Sequence, residues 1–337
     1  MTDIRKSVGA RRVHMASLAG HRQSYQDLFT RMFDLTPSMG RIGRRNFAEL
    51  VRAQSLLFGT IDDDYRGFFI VSLARAFLGR RTVGLFLRPQ TCFGYSGLRY
   101  TIKRFAFMAL KPICLVSVFT IVPFSVAPQY RRVATGGVLD PQLWDIEADA
   151  TVPCDADMTT RVRTAAQGRR VLAFLGTVSA GKGIEFLLDL MTDPAWPHDQ
   201  LLPVVAGRFP DDTQPLSAQL SDAGALVLDR FISEDELQTL YTCADLVWAC
   251  YRSDYDQASG IFGRAIQFGK TPVVRAGSLI ASLAESISIQ MITLDNGASS
   301  QAGHLRDAAE KCGHGGLATM PIEGWKQEFE TTIRSAL

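Results

Sequence analysis

Short apolar runs alternate along the chain with longer stretches in which apolar residues recur every three or four positions. The first pattern predicts buried strands and the second predicts helices packed against them. In the first half, strands are expected at 12–18, 55–60, 82–87 and 113–121, with helices over 22–33, 62–78 and 98–110. The second of these helices starts at Asp62-Asp63-Asp64, where the helix dipole favours acids. Residues 126–154 lose the rhythm: Pro128, Gly136-Gly137, Pro141 and Pro153 punctuate them, as suits a linker.

Beyond the linker the alternation restarts more clearly. Strands are expected at 171–175, 202–206, 225–228, 246–250 and 271–274, interleaved with helices over 183–190, 233–241, 260–268 and 278–285. A last helix over 322–337 places Trp325, Phe329 and Ile333 on one face. Strands alternating with helices imply parallel sheets covered on both faces. The expected fold class is therefore α/β with two doubly wound domains, 1–150 including the linker and 151–337.

Charge divides the chain in the same place. Residues 1–139 hold 21 Lys and Arg against 7 Asp and Glu, whereas the remaining 198 hold 15 against 27. Between Asp64 and Asp140 there are 11 basic residues and no acid. A field of one sign over the first half implies an anionic partner, whether lipid, nucleic acid or a phosphorylated substrate. Nucleic acid is the weakest of these, because neither aromatic platform motifs nor a helix-turn-helix pattern is found.

Six scattered cysteines with no C-x-x-C pair read as reduced, mostly buried thiols. The polar start, MTDIRKSVGARR, is unlike a signal peptide. The apolar stretch 105–127 is cut by Lys111-Pro112 and Pro123, so it reads as a helix followed by a strand rather than a membrane span. A cytoplasmic protein is expected, with peripheral attachment to the inner face of the cell membrane left open. Arg99, Lys103, Arg104, Phe105, Phe107, Met108 and Leu110 would supply a basic, apolar helix for an anionic leaflet, unless Phe107 and its neighbours face the core.

Ligands of open parallel sheets bind beyond the carboxyl ends of the strands. One candidate there is Gly176-Thr177-Val178-Ser179-Ala180-Gly181-Lys182-Gly183, where glycines admit a ligand and Lys182 precedes a helix that can share a phosphate with it. It is not a P-loop, since Gly183 stands where a magnesium-binding Ser or Thr is needed. A second candidate is Asp256-Gln257-Ala258-Ser259-Gly260-Ile261, which opens a helix with free amides. A third is Asp229-Arg230-Phe231-Ile232-Ser233, with Ser233 and Glu236 forming a capping box.

Taken in order, G-x-x-x-x-x-K-G-I-E-F-L-L, V-V-A-G, R-F-I-S-E-D-E-L-x-x-L-Y-x-x-A-D-L-V-W and S-G-I-F-G-R-A-I-Q-F-G-K-T-P-V-V resemble the C-terminal domain of retaining GT-B glycosyltransferases of the family-4 type. The resemblance covers about residues 170–285 well and the rest loosely. It implies two Rossmann-like domains facing a cleft, with the C-terminal helix crossing back to the first. It also implies a hexosyltransferase-type enzyme that moves a sugar from a nucleotide-diphosphate sugar to an acceptor hydroxyl with retention, in bacterial polysaccharide or glycolipid assembly. The donor is a substrate, and neither cofactor nor metal is implied; Asp62-Asp63-Asp64 are set aside as a D-x-D metal site.

Lys182 then corresponds to the lysine that neutralises the donor diphosphate, and Asp256, shortened from glutamate, to an acid on the donor sugar. Gly176, Thr177, Ser259, Gly260 and Ile261 line the sugar and diphosphate, and Arg230, Phe231 and Ile232 the nucleobase. In the first domain, which takes a sugar or lipid-linked acceptor, Ala19-Gly20-His21 would close over the phosphates. Thr177 replaces an arginine of the family pattern and Arg264 a ribose-binding glutamate. Arg264 is the candidate substitute for the missing cation. The same departures admit an alternative, a catalytically silent GT-B protein that acts as a binding or scaffold partner.

Overall fold

The computed structural model describes residues 10–18, 22–93, 97–146, 154–295, 301–311 and 321–337. The chain divides into two compact units, Met1–Pro141 with Pro321–Leu337, and Gln142–Met320. The change from one to the other falls inside the punctuated stretch 126–154.

The first unit is built on six parallel strands: β1 (Arg12–Met15), β2 (Thr36–Met39), β3 (Leu56–Phe58), β4 (Thr82–Phe86), β5 (Val116–Thr120) and β6 (Gly136–Gly137). Their order is β2-β1-β3-β4-β5-β6. Helices α1 (Arg22–Phe33), α2 (Arg44–Arg52), α3 (Tyr65–Phe77) and α4 (Leu98–Leu110) connect successive strands. β2 and α2 were not foreseen: β2 is the polar sequence TPSM at the sheet edge, where a proline costs no ladder bond and there is no apolar run to see. The chain 128–137, expected to be linker, instead buries Tyr130, Val133 and Ala134 and ends in β6.

Two features hold this unit's rim. Arg75 is fully buried, and its guanidinium donates to the carbonyls of Leu50, Val51, Ala53 and Arg81 at 2.6–3.2 Å. It thereby satisfies carbonyls left open at the end of α2. The terminal helix, Ile322–Ala336, buries Trp325, Phe329 and Ile333 as its spacing predicted, and the Phe329 ring stacks on Phe29 at 5.8 Å. It returns to the first unit as expected.

The second unit runs α5 (Ala156–Ala166), β7 (Arg170–Leu175), α6 (Ile184–Thr192), β8 (Leu201–Ala206), α7 (Gln214–Asp222), β9 (Leu226–Leu228), α8 (Glu234–Cys243), β10 (Leu246–Ala249), α9 (Gly260–Gln267), β11 (Thr271–Arg275), α10 (Leu279–Ser286), β12 (Ile292–Leu294) and α11 (Gln301–Lys311). Its parallel sheet has the order β12-β11-β10-β7-β8-β9. Successive side chains of β7 feed opposite cores: Leu172 and Phe174 pack with Trp248 and Val205, Val171 and Ala173 with Tyr241 and Ala265. Burial on both faces is why these strands read as continuous apolar runs. Two doubly wound sheets are the expected architecture. Among the described residues no helix is long and apolar enough to cross a membrane. Of the cysteines, Cys92 and Cys250 are buried, but Cys114 and Cys154 are exposed, because both lie in connecting segments.

Candidate functional site

Both strand orders contain a point where the chain's winding reverses, and crevices at such points are where open α/β sheets bind ligands. In the second unit it lies between β7 and β10. The loop after β7 is 176–183, which holds Gly176, Gly181 and Gly183, and the loop after β10 is 250–259, whose side chains are mostly polar and which runs into Gly260.

These loops are laced together. Arg252 donates its amide to Gly181, and the Trp248 indole donates to the Lys182 carbonyl, both at 3.0 Å. Gly183 has a φ of 76°, and a Cβ there would lie 2.3 Å from the Cys250 carbonyl. Gly207, after β8, has a φ of 150° and would put a Cβ 2.0 Å from the Gly176 carbonyl. Only glycine allows backbones this close at such angles.

Lys182 sits at the centre. Its Nζ turns back toward the strand end, 3.3 Å from the Leu175 carbonyl, and Ile261 packs near the same point above Gly176. Burial draws the Lys182 ammonium down to about 8, with no neighbouring charge contributing. A half-buried amine with a weakened hold on its proton gains most from an incoming anion. α6 starts two residues later, so its open amides face the same region.

Ser259 caps α9: its Oγ accepts from the Phe262 amide at 3.2 Å and is 2.7 Å from the Tyr251 hydroxyl. Gly263 is required by packing, since a Cβ there would lie 2.4 Å from the Gln142 carbonyl oxygen, and Gly260 leaves room for the Gln142 side-chain amide. Thr177 is exposed. Asp256 is engaged already: both its oxygens accept from the Leu279 amide at 2.9 and 3.1 Å, and Arg275 pairs with it at 3.2 Å. Burial still raises its pKa, against those bonds. Beside it, a cleft of about 440 Å³ is lined by Arg252, Ser253, Asp254, Arg275, Ala276 and Asp295, at the carboxyl ends of β10, β11 and β12.

Arg264 does not serve as a free cation. Its guanidinium is bidentate on Asp145, and Gln267 adds bonds to Asp145 and to the Gln142 carbonyl. α9 thus clamps the chain 142–146, and a helix-borne arginine so held is part of the framework. Arg230 is likewise paired, with Glu236, which also completes the Ser233 capping box. Phe231 is 67% exposed, and the Arg208 guanidinium lies 5.9 Å from its ring centroid, with Ile232 partly buried beneath the same loop. Arg208, two residues beyond β8, escaped the sequence reading because it belongs to no motif. Its place at a strand end is the only signal.

In the first unit the reversal lies between β1 and β3. Gly20 and His21, expected after β1, lie outside the described residues, as does Ala19. After β3 the three aspartates part company rather than filling a helical first turn. Asp64 caps α3, accepting from the Gly67 amide at 3.0 Å. Asp63 pairs with Arg22 at 2.7 Å. Asp62 is nearly buried, accepts from the Leu87 amide at 2.8 Å, and has Lys103 3.7 Å away; desolvation raises its pKa. Nearby His14, on β1, is drawn down to about 4 by burial. Among the described residues no group of acids, histidines and cysteines is arranged for a metal ion.

No family model matches the chain, and no curated protein matches it. Solved structures do. HepE of Anabaena, crystallised in complex with UDP and glucose, is 13% identical, with 97% of this chain and 100% of that chain covered at a TM-score of 0.64. WaaG, a glycosyltransferase involved in lipopolysaccharide biosynthesis, is 11% identical over 95% of each chain, at 0.52. The fold is GT-B. A glycosyltransferase from Rickettsia africae is similar too, 11% identical over 97% of this chain and 94% of that one, at 0.59. At such identities the likeness is one of fold, and the GT-B chain described here carries its own side chains at both reversal points.

Proposed function

We propose that this GT-B protein is a glycosyltransferase using a nucleotide-diphosphate sugar as donor. The observation that carries the reading is Lys182: an amine with no carboxylate partner among the described residues, at the winding reversal, beside a helix start and closely packed glycines. A diphosphate supplies the charge that such a site lacks. The UDP in the HepE structure is consistent with it.

In the reaction the bond between the sugar's anomeric carbon and the diphosphate oxygen breaks, and a bond from that carbon to the acceptor oxygen forms. The acceptor proton leaves with the diphosphate. Lys182 and the α6 amides hold the leaving charge, Ser259, Gly260 and Ile261 border the sugar, and Phe231 offers its exposed face to the base. Arg208 supplies the cation that Thr177 lacks. Asp256, with lone pairs left after Leu279 and Arg275, accepts from a sugar hydroxyl. For the acceptor we propose the first unit's reversal point, where Asp62 Oδ1 and Asp63 Oδ2 are buried with no hydrogen-bond donor among the described residues. Retention, a hexosyl group and a role in bacterial polysaccharide or glycolipid assembly follow from the family resemblance.

The test is release of nucleoside diphosphate from a panel of nucleotide sugars, with and without simple acceptor glycosides. Donor-specific release that requires Lys182 supports the enzyme. Tight donor binding without turnover would favour the silent GT-B protein, a reading supported by Arg264 being committed to Asp145.

A further inference from the structure

α4 presents two apolar faces. Phe107 and Leu110 are in the core, and Lys103 is buried between Asp62, the Thr91 hydroxyl and the Phe86 ring. These three therefore leave the surface expected of the helix. The opposite face is open: Leu98, Ile102, Phe105 and Met108 are exposed at one helical spacing. α3, which packs beside α4, adds Ile70 and Phe77, and Leu78 follows directly. Phe77 is 89% exposed. Of the nine large apolar side chains exposed among the described residues, six lie on these two helices and a seventh, Leu78, caps α3. Scattered exposed apolar residues mean little, but a cluster of this kind marks an interface.

The charge around the cluster selects what covers it. Arg66 on α3 and Arg99 and Arg104 on α4 have no carboxylate in ion-pair range among the described residues, and no acid occurs in the sequence between Asp64 and Asp140. The guanidinium groups of Arg99 and Arg104 lie over the rings of Tyr100 and Phe105, at 5.3 and 5.7 Å, so cations and apolar rings share one surface. A second copy of this chain would bring like charges together. Nucleic acid would neutralise the arginines and leave the apolar stripe wet. An anionic leaflet takes both, apolar side chains at the acyl boundary and arginines among the phosphates.

We propose that the outer face of α3 and α4 docks on an anionic phospholipid leaflet. Phe77, Leu98, Ile102 and Phe105 enter the interface, and Arg66, Arg99 and Arg104 contact lipid phosphates. The proposal stands apart from the transferase reading, since it uses none of the residues of either reversal point.

Flotation of the full chain with vesicles tests it. Phosphatidylcholine vesicles containing about 30 mol% phosphatidylglycerol should carry the protein, and phosphatidylcholine alone should carry much less. The double variant Phe77→Ser/Phe105→Ser should lose on the order of tenfold in partitioning. Arg99→Glu/Arg104→Glu should erase the preference for the anionic lipid. All four side chains are at the surface or its edge, so an unchanged thermal midpoint and an unchanged donor-release rate without vesicles are expected of both variants. The proposal is overturned if the wild-type chain does not float with the anionic vesicles at low salt, or if the serine variant floats as well as wild type. A dimer that the serine variant splits, in a chain that ignores vesicles, would assign the face to self-association instead.

Discussion

The two winding reversals offer a comparison within one molecule. In the second unit, the crevice between β7 and β10 is walled by glycine backbone and one weakly protonated lysine. In the first, the crevice between β1 and β3 is stocked with Asp62, Asp63, Asp64, His14 and Arg22, several of them bonded to one another or to backbone. Open amides and a cation with no carboxylate partner among the described residues suit an anion. Buried carboxylate oxygens with unused lone pairs suit hydroxyl donors. The same scaffold thus presents opposite chemistry at equivalent positions. The distinction rests on side chains, because the backbone solution is shared.

Variants can break that comparison. The largest effect should come from the framework: Arg264→Ala leaves the nearly buried Asp145 carboxylate without its cation and with only Gln267 as a donor, which costs about 3–5 kcal/mol. Denaturant titration should show this loss in the second unit. A change under about 1 kcal/mol would mean that the pair is no more than a surface contact. Next is Lys182→Ala, expected to lower turnover by roughly a hundredfold, as removal of a preorganised charge in a transfer site commonly does. Its thermal midpoint should not fall, since no ion pair is lost. Arg208→Ala should weaken donor binding on the order of tenfold, measured by titration calorimetry; an unchanged affinity would remove Arg208 from the site.

The smallest effect is that of pH. Free Lys182 loses its proton near pH 8, so donor affinity should be highest below that and fall as pH rises through it, by about tenfold at pH 9 if only the ammonium binds. A bound diphosphate raises the lysine's pKa, so binding at pH 9 should take up a proton. Lys182→Arg, charged throughout, should flatten the profile. A wild-type profile that is flat from pH 7 to about 9 would detach Lys182 from the anion.

Much of this was legible in the sequence, and the reasons differ by region. β7, β8 and β10 are buried on both faces, so their apolar runs stood out, and Trp325, Phe329 and Ile333 were plain from spacing alone. β2 was hidden because an edge strand needs no apolar residues, and α5, α7 and α11 because few of their side chains reach the core. At the site, Gly176, Lys182 and Ser259 were marked by local motif. What no motif reports is partner choice over long separations. Arg264 with Asp145, Asp256 with Arg275, and Lys103 with Asp62 were each set by tertiary packing. The first and last of these pairings hold a candidate ligand contact and a candidate surface cation in the framework, and the second engages Asp256 while leaving it lone pairs.

The central claim is that the crevice at Lys182 receives a nucleoside diphosphate. Calorimetric titration of wild type and Lys182→Ala with a panel of nucleoside diphosphates, at pH 7, addresses it most directly. At least one nucleoside diphosphate should bind wild type, with an affinity lowered roughly tenfold or more in the variant. Binding to neither protein, or equal binding to both, would contradict the account.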